Sequence, residues 1–139
     1  MGITLEHLDS VNRCQIAEME KAAKQLDPNK SGSDAAFSIH VRNVQAAVIH
    51  TYQLTAFASL REPDAANAAL LWKDMTRFCE SALTVLRLLK DVYPGCGTPE
   101  LYDLTLNYRS EAERRYFQNL EDSEWARIPA PKGLFPQMS

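Results

Sequence analysis

Apolar residues recur along this chain at alternating steps of three and four, the spacing that puts them on one side of an α-helix. The clearest run covers residues 64–93, where Ala68, Trp72, Met75, Cys79, Ala82, Leu86, Leu89 and Tyr93 form one row. A second row, Leu71, Phe78, Val85 and Val92, recurs beside it every seven residues. Two adjacent rows make a stripe wider than a two-stranded seam, so this helix is expected to touch more than one neighbour.

Three further segments carry the same signal. Residues 4–26 hold a weaker row, Leu5, Leu8, Met19, Ala22 and Leu26, interrupted by Asn12 and Gln15, with Thr4 placed to cap it. Asp27, Pro28, Asn29, Ser31 and Gly32 are turn formers that end it. Ser33 or Asp34 can cap a second helix that runs to about residue 60 through Phe37, Val41, Val44, Val48, Tyr52 and Thr55. The break at Arg61-Glu62-Pro63-Asp64 is so short that an antiparallel hairpin is expected. Pro94-Gly95-Cys96-Gly97 stops the third helix, and Thr98-Pro99-Glu100 starts a fourth, to about residue 120. Its inward row is Leu101, Leu104 or Thr105, Tyr108, Ala112 and Tyr116, with Arg109 and Glu113, and Glu111 and Arg115, spaced to pair outside.

Beyond Asp122 the chain contains Pro129, Pro131 and Pro136, which favour extended backbone, among the apolar residues Trp125, Ile128, Leu134 and Phe135. The pattern therefore predicts an all-α fold. Residues 1–122 form a bundle of about four long antiparallel helices, and residues 123–139 a proline-rich extended tail that packs on the bundle or on a partner.

Composition narrows the function more than the fold. With 139 residues, 45% of them hydrophobic, the chain has the size of one domain with a real core. Its net charge of -3 supplies no basic field to neutralise phosphates, which disfavours nucleic acid as a partner. Cys14, Cys79 and Cys96 are an odd set at wide spacing, neither a disulfide framework nor a metal knuckle, and point to a reducing, cytoplasmic setting. No basic stretch followed by an apolar one opens the chain, so no secretory leader is expected.

Candidate chemistry is sparse. No Glu-x-x-His pair of the kind that builds carboxylate metal sites in bundles occurs. Residues 27–34 copy the first half of a calcium loop, but the twelfth position is Ser38 instead of a bidentate glutamate. His40 and His50 share a helix ten residues apart, which is about 80° around its axis and too far for a two-ligand face. Cys96, between two glycines at the start of the fourth helix, is the position best placed for a lowered thiol pKa or an anion. An enzyme or ligand-binding reading would need His40, His50 and Cys96 to converge on one pocket between helices. No cofactor is implied.

The second helix points elsewhere. Between Ala35 and Leu60 the only charged side chain is Arg42, whereas a solvated helix normally carries charges on its outward face. Gln45, His50 and Gln53 make a membrane span equally unsuitable. The helix is expected to be covered by protein, either inside its own bundle or at the interface of a homodimer. These features favour a non-enzymatic interaction module, such as an adaptor, chaperone, inhibitor or immunity-type protein. Tyr52, Phe57, Trp125, Ile128, Leu134 and Phe135 are its candidate contact residues.

Overall fold

A computed structural model describes residues 5–25 and 33–127 of the chain. Four helices account for most of them: α1 (Leu5–Gln25), α2 (Ser33–Arg61), α3 (Ala65–Leu89) and α4 (Thr98–Arg127), with a short 3-10 turn at Pro94–Cys96 between the last two. Cross-helix contacts fix their directions. Tyr52 meets Trp72 while Phe37 meets Tyr93, so α2 and the α3 end run antiparallel. Glu80 meets Arg109 while Trp72 meets Arg115, so α3 and α4 do the same. Both α1 and α4 pack on the α2–α3 pair instead of on each other.

The predicted row of α3 is the centre of the core. Ala68, Trp72, Met75, Cys79, Ala82 and Leu86 are all buried, and so are Phe78 and Val85 of the second row. This double stripe lets α3 contact all three other helices. Phe37, Val41, Val44, Val48 and Thr55 of α2, and Leu101, Thr105 and Ala112 of α4, complete the interior. In α1, Met19 is buried and Ala22 half-buried, while the side chains of Leu5 and Leu8, and Leu26 entirely, lie outside the described residues.

Three buried threonines bond within their own helices. Thr51, Thr55 and Thr105 each donate their hydroxyl to the carbonyl one turn earlier, at 2.6 to 2.7 Å. Asn12, an interruption in the apolar row of α1, is buried and donates its amide to the Thr51 hydroxyl. That hydroxyl thus accepts from α1 while donating along α2, and the pair ties the two helices at one register. Burial pushes the Cys79 thiol up to about 12, with nearby Arg109 opposing the shift.

Two boundaries differ from the expectation. The third helix stops at Leu89 instead of Tyr93, and residues 90–93 form a turn. Tyr93 stays buried all the same, stacked on Phe37 with ring centroids 4.2 Å apart, whereas Val92 turns out to solvent. The fourth helix continues through Arg127, so residues 123–127, expected at the start of an extended tail, are helical. Proline disfavours helix only at its own position and the one before, and Pro129 leaves residues 123–127 free to continue the helix. Trp125 is accordingly a helical residue. Ile128, Leu134 and Phe135 lie outside the described residues.

Asp64 caps α3 by accepting the Ala66 N–H at 2.9 Å. At the other corner Gly97 has φ +85°, and the buried Thr98 hydroxyl donates back to the Tyr93 carbonyl at 2.9 Å. Thr98 therefore fastens the turn to the start of α4. The last turn of α4 returns beside the α2–α3 connection, where Ser123, Ala126 and Arg127 face Pro63, Asp64 and Ala66 across a shallow groove.

Candidate interaction surface

With its inward row committed to the core, α2 turns a second row outward. Ile39, Asn43, Ala46, His50, Gln53, Phe57 and Leu60 are all exposed, and their spacing alternates steps of four and three. This is the recurrence by which a helix lines up side chains for another helix. Exposure is greatest for the large apolar members: 60% for Ile39, 55% for Phe57 and 82% for Leu60, with Leu54 beside them at 44%. From Asn43 to Leu60 no charged residue interrupts the face. Arg42 borders it at one end, and Arg61 lies over the Phe57 ring at 4.4 Å at the other.

The other helices show how unusual this is. The outer face of α3 mixes Leu70 and Leu88 with Asp74, Arg77, Glu80 and Arg87. On α4, Phe117 and Trp125 stand among Asp103, Arg114, Glu121 and Glu124, and the Trp125 ring N–H points to Glu121 at 3.4 Å. Each of those apolar residues is flanked by charge, the arrangement of an ordinary solvated helix.

Ion pairs run along α4, and one of them reaches α3. Arg109 reaches Glu80 at 3.2 Å and Glu113 at 3.7 Å. Glu111 accepts from Arg114 at 2.6 Å and from Arg115 at 2.8 Å, and these hydrogen bonds hold its carboxyl down at about 2. The expected Arg109–Glu113 and Glu111–Arg115 pairs are both present. Arg115 also lies 5.0 Å over the Trp72 ring, so one guanidinium covers the core and neutralises the surface.

The residues singled out from the sequence fall in different places. Phe57 is on the outer face of α2. Tyr52 is not: it is half-buried between helices, 4.4 Å from the Tyr108 ring and 5.7 Å from that of Trp72. Trp125 is exposed on the last turns of α4, outside the uncharged row of α2. Ile39, Leu54 and Leu60 were not among the expected contacts, although the three-residue spacing of Leu54 and Leu60 from Phe57 is visible in the sequence, as are the steps of four and three from Ile39 to Asn43 and Ala46.

The polar trio does not assemble around one pocket. His40 is half-buried beside Phe37, His50 is exposed on the outer row about 15 Å further along α2, and Cys96 is buried in the 3-10 turn. The Cys96 N–H donates to the Tyr93 carbonyl at 3.2 Å. Among the described residues no group of three or more His, Cys, Asp or Glu side chains could hold a metal ion. None of the described helices is long and apolar enough to cross a membrane. An apolar groove of about 330 Å³ lies between α1 and α3, lined by Ala23, Val85, Leu88, Leu89 and Val92 with Glu20 and Lys24 at its edge. It contains none of the trio. Comparison of the chain with protein-family models, with curated proteins and with solved structures finds no match.

Proposed function

We propose that this protein is a non-enzymatic interaction module that binds through the outer face of α2. One observation carries the reading: an exposed row with the spacing of a helix-packing seam, free of charge from Asn43 to Leu60, on a helix whose opposite side already fills the core. Leaving Leu54, Phe57 and Leu60 together in water is unfavourable by roughly 1.5–3 kcal/mol per fully exposed side chain relative to burial, and covering them recovers that free energy. An adaptor, chaperone or inhibitor role requires such a surface and no reactive group. Three cysteines, an odd number at wide spacing, suit a reducing compartment such as the cytoplasm.

The alternative of a pocket enzyme built on His40, His50 and Cys96 draws no support from His50, which stands exposed about 15 Å along α2 from His40. The test of the interaction reading is a double substitution, Phe57→Lys with Leu60→Lys. Both side chains are exposed, so folding stability should stay within about 0.5 kcal/mol of the parent. The immobilised parent should retain a partner, another protein or a second copy, that the double variant does not. Retention of the same partners by both would overturn the assignment of this face.

A further inference from the structure

We infer that the partner on the outer face of α2 is a second copy of this chain, seated α2 against α2; this deepens the interaction reading and rests on it. The spacing of the face selects the kind of occupant. Steps of four and three from Ile39 to Leu60 match the knobs and holes of another helix, whereas an extended segment repeats every two residues and would keep register with no part of it. The row spans 21 residue steps, about 32 Å, a length that needs a helix of comparable size.

Charge then selects which helix. A partner helix must present an uncharged row of similar length, because a lysine or carboxylate laid against Ala46, Gln53 or Phe57 would be desolvated with no opposite charge to meet. Among the described residues, the outer faces of α3 and α4 are broken by charges, and α2 alone presents such a row. The polar members suit self-pairing as well. Asn43, His50 and Gln53 each carry both a donor and an acceptor, so in a parallel pair each can satisfy its own counterpart, while in an antiparallel pair His50 alone lies close enough to the axis to do so. Ala46 lets the two backbones approach.

The geometry also singles out one residue. The row runs from residue 39 to residue 60, and His50 lies at its middle. When the two rows overlap fully, His50 stands beside His50 of the other copy whether the helices run parallel or antiparallel. A disulfide needs Cα atoms within about 7 Å, so a cysteine at this position reports self-pairing directly.

The experiment uses the full chain with exposed Cys14 replaced by Ser, carrying either His50→Cys or, as a control on the outer face of α3, Thr84→Cys. Under mild oxidation the His50→Cys chain should become mostly covalent dimer, and Thr84→Cys should stay monomeric. Adding Phe57→Lys and Leu60→Lys should abolish the His50→Cys cross-link. Monomer in both chains would overturn the inference, and so would equal cross-linking in both. If His50→Cys cross-links only after the chain is ended at Arg127, the occupant is the chain's own residues 128–139 and self-pairing is wrong. If the face fails to pair with itself while the double lysine variant still loses a retained protein, the interaction reading stands and only the second copy falls.

Discussion

Trp72 shows how much one residue of this fold holds. It is fully buried in the first half of α3, with Tyr52 of α2 on one side and the Arg115 guanidinium of α4 on another. Trp72→Ala should cost about 3–5 kcal/mol, read as the shift in the urea midpoint, because three helices lose a common contact. Gly97 is a different kind of constraint. Its φ of +85° is natural for glycine, and an added Cβ would meet only Glu100 Oε2, at 3.9 Å. Gly97→Ala should therefore cost about 1–2 kcal/mol from backbone strain alone, with no change in core packing by near-UV circular dichroism. At this scale the sequence was informative about inward residues and poor about polar ones. The rows through Phe37, Val48, Trp72 and Leu86 could be read from spacing. The role of Asn12 could not, since it depends on Thr51, thirty-nine positions away, coming opposite it.

Helices as units explain both the successes and the misreadings. Asp64 before Ala65 and the Pro94 to Gly97 run are local signals, so the limits they set were legible. The end of α3 was not, because Tyr93 keeps its place in the core after the helix has stopped at Leu89, and burial was taken for continued helix. The end of α4 was misread in the opposite sense, since the disfavour of proline for helix was carried back from Pro129 to Ser123. On α4 itself, Glu111 links two arginines on one exposed face. Its carboxyl is lowered from 4.5 to about 2 in the folded state, so it binds protons less readily there than in the unfolded chain. The stabilisation is present above pH 4.5 and is lost as pH falls toward 2. Solvent screening keeps it below about 1 kcal/mol. Thermal unfolding of Glu111→Gln should therefore show a slightly lower midpoint than the parent at pH 7 and the same midpoint at pH 2.

At the scale of the whole molecule, the bundle divides its surface unequally. Ion pairs and scattered charge cover α3 and α4, while α2 leaves a long uncharged row in the open. The lack of charge in α2 was evident from the sequence, and the expectation that protein covers the helix came from it. Which residues do the contacting was misread, because Tyr52 was counted as a contact although it belongs to the inward row with Val48 and Thr55, about 140° around the helix from Phe57. The most direct test is the solution mass of the full chain by light scattering across a dilution series, beside that of the Phe57→Lys, Leu60→Lys variant. The account predicts twice the 15.7 kDa of a single chain for the parent at high concentration and a single chain for the variant. A parent that stays at the mass of one chain throughout, or a variant that pairs as well as the parent, would contradict it.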